Sequence, residues 1–483
     1  MTAQDLSATL PLLLLTGWAC VLMLLDAFIP AERKDLTAGL AALGIVVALG
    51  ALAPRFGQTT EAFGGMLVVD GFASFLDVVF LGSGLLGIAL AYDYLKRMGI
   101  ERGEYYSLLL FSICGMMLMG RAADLIIVFL ALELLSIPLY VLSGFAVPRL
   151  ESEEAALKYF LLGAFATGFV VYGIALTYGA LGSTRMEAIL ATVRPGATPP
   201  GLLLVGMGLI LIGFGFKVAA VPFHMWTPDV YQGAPSSVTA FMSVGAKAGG
   251  FAALLRLLIS ALPDLAVAWA PAAAWISALT MVWANFAAIA QPNVKRMLAY
   301  SSIAHAGYIL MALAASASSE VAPQAASAAL FYLAAYAVTN LGAWGVVLSM
   351  EKQEGAGLSI DDYAGLGQRR PGLALAMTAF MLSLTGVPPT IGFVGKFFLF
   401  GAAIQAGLVW LALIGVITSL VSAYYYLRVV VVMYMRPGEP EARSERWLSA
   451  GLGLAALATV VFGILPGPLL ALAERAGLMA LVP

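Results

Sequence analysis

The feature that most constrains this chain is a succession of apolar runs, each about 20 residues long, joined by short polar links. A helix needs about 20 apolar residues to cross the hydrocarbon core, where backbone N–H and C=O groups find no water and must pair within their own segment. Such runs lie near Leu10–Phe28, Leu36–Ala53, Gly71–Tyr92, Tyr105–Gly120, Ala123–Leu142, Ala155–Leu176 and Leu202–Val221. Seven more lie near Val238–Leu258, Ala266–Ala290, Met297–Ala315, Ala325–Met350, Leu373–Gly401, Leu408–Met433 and Leu448–Leu470. They predict an all-α polytopic membrane protein with about 14 transmembrane helices and no soluble domain. Composition agrees: 61% of the 483 residues are hydrophobic and 11% charged, whereas a soluble domain carries roughly 25% charged residues. Lipid is the expected solvent. A net charge of −2 says nothing about partners, and no nucleic-acid partner is expected.

Orientation follows from the basic residues of alternate links. One set holds Arg33, Lys34, Lys96, Arg97, Arg102, Arg149, Lys295, Arg296, Lys352, Arg369, Arg370, Arg436, Arg443 and Arg446. The other holds only Arg55, Arg121, Arg185, Arg194 and Arg475. Lys and Arg accumulate on the cytoplasmic side, so the first set is placed there. An even number of spans then puts both termini outside. No Lys or Arg precedes the first run and no small-residue cleavage site follows it, so it is read as a retained helix.

Two spans should be broken. The seventh runs into Lys217-Val-Ala-Ala-Val-Pro222-Phe-His224 and then Trp226-Thr-Pro228-Asp229. The twelfth contains Thr385-Gly386-Val-Pro388-Pro389-Thr-Ile-Gly392. Proline removes a helix hydrogen bond and clashes with the preceding turn. Broken helices at corresponding places in two halves point to an inverted repeat with a transport site between them. The expected units are an N-terminal three-helix segment (1–104), a first five-helix repeat (105–262, spans 4–8), a second inverted one (263–435, spans 9–13) and a C-terminal helix (436–483). The break follows the lysine in one repeat and precedes it in the other, so the symmetry is imperfect.

Deep charges are the candidates for chemistry. Lys217, Lys247 and Lys396 lie within apolar runs, Lys158 near the inner end of the sixth, and Arg256 one turn from the outer end of the eighth. Arg256 is expected to snorkel to the interface and is given no role. A central lysine costs about 2.5–3.5 kcal/mol on insertion scales and usually faces a wet cavity or a partner. Only Glu133 is a comparably deep acid. One carboxylate cannot neutralise several ammonium groups, so some of these lysines should be neutral part of the time, and such a lysine carries protons. His305 and His224 are natural bridging groups beside them, because imidazole exchanges protons near neutral pH. Taken singly, each histidine reads as a satisfied structural residue. Asp70 and Asp77, near the outer end of the third span, are read as interfacially solvated groups, with an exit as the alternative.

Cys20 and Cys114 sit in apolar runs and read as small hydrophobes. Two Cys and two His cannot hold an iron–sulfur cluster, which takes four such ligands, and no CxxCH or GxGxxG motif stands out. Neither a cofactor nor a metal is expected in this chain.

The stretches around Glu133, Lys158 and Lys217, with Val221-Pro222-Phe-His224-Met-Trp226-Thr-Pro228-Asp229-Val-Tyr231, resemble the antiporter-like core of complex I subunits L, M and N. Mrp cation/proton antiporters and membrane-bound hydrogenases share that core. Ser243-Val-Gly-Ala-Lys247, Pro292-Asn293-Val-Lys295-Arg296-Met-Leu-Ala-Tyr300-Ser301-Ser302 and His305 extend the resemblance over nearly the whole chain. Lys396 after the Pro388-Pro389 pair resembles the N-type subunit, whereas the M-type carries an acid there. The L-type continues into a long lateral helix, and here about a dozen residues follow the last run.

The resemblance implies a proton-translocating subunit of an NADH:quinone oxidoreductase, with flavin and iron–sulfur clusters in partner subunits and quinone reduction elsewhere. Its neighbours would be M-type and small K-, J- and A-type membrane subunits. Glu133 and Lys217 would form a switching ion pair, with Lys247, His305 and Lys396 continuing a polar axis and Lys158 and His224 beside it. The alternatives are an Mrp-type cation/proton antiporter subunit, a solute transporter (no solute-binding cluster is evident) and a structural spacer, which leaves the lysines unexplained.

Overall fold

The computed structural model describes residues 2–193 and 200–478. Arg194, counted above in an outer link, lies outside the described residues, as do Met1 and residues 479–483 of the terminal units. Eleven described helices are long and apolar enough to cross a membrane. The fourteen expected runs exceed that number for reasons of length and polarity. Leu10–Asp26 has 17 residues, Glu104–Arg121 is polar at both ends, and the twelfth run is split into Pro371–Thr385 and Ile391–Gln405. Among the described residues the one sheet is an antiparallel hairpin pairing Thr60–Ala62 with Leu67–Val69. Strands of three residues are too short to announce themselves by alternation.

Three helices form the centre. The apolar stretch of Ser236–Ala261 is wholly buried and those of Val294–Ala315 and Ala322–Met350 are 94% buried, against 28% for Arg446–Ile464. Small residues explain the placing. Ser243-Val-Gly-Ala-Lys247-Ala-Gly-Gly250 lets neighbouring backbones approach closely, which is how helices associate where lipid is as apolar as leucine. Outer helices instead turn Phe165, Leu420 and Leu454 outward.

Both breaks fall at the prolines. Gly201–Val218 ends at Ala219 in the left-handed region (φ 61), and the chain resumes as Trp226–Gly233. Pro371–Thr385 ends at Gly386 (φ 91) before Ile391–Gln405. Non-helical backbone survives at membrane depth only when its polar groups are satisfied, and here side chains satisfy them. Trp226 Nε1 donates to the Phe216 carbonyl at 3.0 Å and the Val221 amide to Thr280 Oγ1 at 3.0 Å. At the second break the Gly392 amide donates to Ser383 Oγ at 3.1 Å. A Cβ at Gly392 would collide with the Ser383 carbonyl, so the approach needs glycine there.

Several charges lie elsewhere than expected. Arg256 does not snorkel: it is fully buried, and its Nη1 and Nη2 donate to the Asp70 carboxylate at 3.0 and 2.8 Å. Its Nε and Nη2 also donate to the Gly120 carbonyl at 3.0 and 2.8 Å. Arg121, assigned above to an outer link, is buried too and forks onto Asp77 through Nη1 (2.7 Å) and Nη2. Asp70 and Asp77 therefore face guanidinium groups, not interfacial water. A guanidinium keeps its charge in proteins, so one turned inward by packing requires a carboxylate. Lys295, assigned to an inner link, is also buried, with Nζ donating to the Ala234 carbonyl at 2.7 Å.

Candidate functional site

The first half of the site is built on Leu125–Ser143, whose N-terminus is capped by Asp124. Glu133 and Ser136 stand three residues apart, one turn along a shared face. Glu133 Oε1 accepts a hydrogen bond from Thr167 Oγ1 at 2.7 Å. Lys217, in the last turn before the first break, donates to Ser136 Oγ at 2.8 Å and Tyr159 OH at 3.3 Å. Its ammonium lies 5.4 Å from the Tyr159 ring centroid and 5.9 Å from that of Tyr140, within the range of a cation–π contact. Glu133 and Lys217 are not ion-paired among the described residues: the pair stands open, Glu133 held by Thr167 and Lys217 by Tyr159 and by Ser136, one turn along from Glu133.

The second half runs through the three central helices. Lys247 donates to the Ser302 carbonyl, and Tyr336 OH donates to Ser302 Oγ at 2.8 Å. One turn on, His305 Nδ1 meets Tyr332 OH at 2.5 Å and Nε2 meets Tyr426 OH at 3.1 Å. A cavity of about 10 Å³ borders His305, Tyr332, Tyr336, Thr339 and Ser383, close to the smallest space that holds one water. Past it, Ser419 Oγ donates to Tyr308 OH at 3.1 Å. Lys396 Nζ donates to Ser419 Oγ at 2.8 Å and to the Leu384 and Thr385 carbonyls, both at 2.9 Å. Lys217, Lys247, His305 and Lys396 thus stand along a line of hydroxyl and carbonyl oxygens, with three open steps among the described residues: Lys217 to Lys247, Tyr336 to His305, and His305 to Tyr308.

Lys158 and His224 do not join this chain. Tyr159 turns inward to Lys217, whereas Lys158 is 40% exposed and pairs with Glu154 at 2.7 Å and Asp229 at 2.8 Å. Asp229 also binds Arg296 at 2.7 Å. This network lines a cavity of about 380 Å³, together with Arg149, Gln232 and Asn293. His224 packs edge-on to Trp283, and its Nδ1 has no hydrogen-bond partner among the described residues.

The decisive contrast is between buried arginines and buried lysines. Arg121 and Arg256 each grip a carboxylate with two nitrogens. Lys217, Lys247 and Lys396, buried as well, donate to hydroxyl and carbonyl oxygens and have no carboxylate partner among the described residues. A permanently charged group is paired; a group able to shed its charge is left unpaired. Among the described residues no group of three His, Cys, Asp or Glu is placed to hold a metal.

Reading the sequence missed Thr167, Tyr159, Tyr332, Tyr336, Tyr426, Tyr308 and Ser419. Their one local signal is a hydroxyl inside an apolar run, shared by many lipid-facing tyrosines.

A family model described as "NADH:quinone oxidoreductase/Mrp antiporter, TM" matches residues 122–422. The chain is 51% identical to "NADH-quinone oxidoreductase subunit N" of Chloroflexus aggregans, over 98% of this chain and 97% of that protein. It is 49% identical to "NADH-quinone oxidoreductase subunit N 2" of Roseiflexus castenholzii, over 95% and 94%. A chain of respiratory complex I from Thermus thermophilus superposes with a TM-score of 0.82 at 38% identity, covering 97% of this chain and all of that one. A chain of the Mrp complex from Dietzia shares the fold alone, with a TM-score of 0.84 at 21% identity over 98% and 97%.

Proposed function

The chain belongs to the family of NADH-quinone oxidoreductase N-type membrane subunits, and from that premise we propose that its unpaired buried lysines carry protons across the membrane. It is an antiporter-like subunit of a proton-translocating enzyme complex, with other membrane subunits of that complex as partners. The carrying observation is the contrast between paired arginines and unpaired lysines. We place flavin and iron–sulfur chemistry in partner subunits, whose electron transfer reaches this chain as displacement or electrostatic change.

In the open arrangement Glu133 rests on Thr167 and Lys217 on Ser136 and Tyr159. Swinging by about one turn brings ammonium and carboxylate together, worth about 4 kcal/mol at 4 Å and an effective dielectric constant near 20. Closure holds the proton on Lys217. Opening withdraws that stabilisation and drives the proton towards Lys247, then by Ser302, Tyr336 and His305 to Tyr308, Ser419 and Lys396. The three open steps need a water or a side-chain rotation, and the small cavity beside Tyr336 and His305 is the place for one such water.

The finer topology belongs to the same proposal. Fourteen spans, with Gly201–Gly233 and Pro371–Gln405 each counted as one broken crossing, leave both termini on the periplasmic side. Residues 105–262 and 263–435 then form the inverted repeats, and the Lys158–Asp229–Arg296 cavity opens to the cytoplasm, where it gathers protons for Lys217.

The test is Glu133→Gln. It keeps the shape and the Thr167 contact but cannot attract Lys217 electrostatically. The assembled complex is expected to lose roughly tenfold in coupled quinone reduction, equivalent to about 1.4 kcal/mol on the coupled step. Normal assembly on native gels with a wild-type proton-to-electron ratio would remove the switching role.

A further inference from the structure

Between Pro371–Thr385 and Arg446–Ile464, along the part of the first helix that precedes its contact with Lys396, lies a groove of about 700 Å³. Its walls are apolar, with Leu375, Ala456 and Val460 among them, and Leu375 is 66% exposed. Its mouth is ringed by Arg369, Arg370 and Arg443. Arg369 is paired with Glu439. Arg370 makes only a 3.5 Å contact to the Ala442 carbonyl, and neither Arg370 nor Arg443 has an ion-pair partner among the described residues. From Ser449 to Val460 the groove follows twelve residues of helix, a rise of roughly 16 Å at 1.5 Å per residue, which matches one leaflet of a hydrocarbon core about 30 Å thick.

We propose that this groove binds one anionic phospholipid of the leaflet that faces the arginines, phosphate at Arg370 and Arg443, acyl chain between the two helices. Three properties select that occupant. The guanidinium fork matches phosphate oxygens bidentately. Basic pockets between transmembrane helices, on the side rich in Lys and Arg, recruit acidic headgroups. The apolar part is as long as one leaflet is deep and opens sideways to the bilayer, so the ligand enters from the membrane. A zwitterionic lipid would bring its own ammonium into an already cationic mouth.

The experiment uses the purified complex in vesicles of phosphatidylcholine containing a trace of photoactivatable lipid, its diazirine on the acyl chain. The headgroup is either phosphatidylglycerol or phosphatidylcholine. The anionic probe is expected to label peptides from residues 371–385 and 446–464 about tenfold more than the zwitterionic one, because basic residues at the mouth draw acidic headgroups. Arg370→Gln with Arg443→Gln should reduce its labelling to the zwitterionic level. Arg370→Lys with Arg443→Lys, which keeps the charge, should retain most of the preference and serves if the glutamine variant does not assemble. Equal labelling by both probes, unchanged labelling in the glutamine variant, or a neighbouring protein subunit crosslinked in place of lipid would each overturn the proposal.

Discussion

Lys217→Arg is expected to assemble normally and yet lose at least nine-tenths of coupled proton pumping, much as Lys217→Ala does. Were Lys217 only an electrostatic partner for Glu133, arginine should serve as well, since it keeps the charge and offers more donors. A relay needs the proton to leave in every cycle, and arginine does not release it at any working pH. The surroundings sharpen the point. Ser136 and Tyr159 supply two neutral oxygens, adequate for an amine that cycles between forms and inadequate for a permanent cation. The measurement is proton uptake into inverted vesicles during NADH oxidation, with native gels for assembly. An assembled arginine variant pumping at wild-type stoichiometry would leave Lys217 as a fixture.

The largest effect on stability is expected at Arg256. Removing one partner of a buried pair typically costs about 3–5 kcal/mol, because it strands the other charge. Arg256→Gln leaves the Asp70 carboxylate, 1% exposed, facing an amide, and uncovers the Gly120 carbonyl as well. The variant should fail to accumulate, or dissociate from the complex in mild detergent. Combining Arg256→Met with Asp70→Leu removes both charges and should recover most of the loss, as replacement of buried pairs by apolar residues often does. A double-mutant cycle on assembled protein, read by chemical denaturation, gives the coupling energy. Lys247→Met should assemble at the wild-type level while abolishing pumping. Equal destabilisation by the Arg256 and Lys247 changes would erase the distinction between structural and carrier cations.

That distinction marks where the sequence could be read and where it could not. Pro222 and Pro388–Pro389 act on backbone within a few residues, so both breaks were legible from the chain alone. Deep lysines were legible because a charge inside an apolar run is rare whatever its neighbours. The fate of Arg256 was not, since its partner lies 186 residues away; distance from the end of a helix suggested snorkelling, and tertiary packing decided otherwise. Lys295 misled in the same manner: a Lys-Arg pair beside a link looks solvated, yet the helix turns Lys295 inward and leaves Arg296 to Asp229. The hydroxyl chain was the least legible part. Nothing local separates Tyr332 and Tyr426, which reach His305, from Tyr172, which faces outward.

The contact of Lys396 with the second break carries a mechanical consequence. Its ammonium donates to the carbonyls of Leu384 and Thr385, the last residues of Pro371–Thr385. Those carbonyls are the negative pole of the half-helix dipole, and a cation there satisfies orphan acceptors and offsets about half an elementary charge. In the proposed relay the same nitrogen gives up its proton. Each discharge would then unfasten the clasp between the two half-helices, and each reloading would fasten it again. Occupancy by a proton and the stiffness of this joint would become a single variable, the chemistry of one amine felt as force at both ends of a crossing.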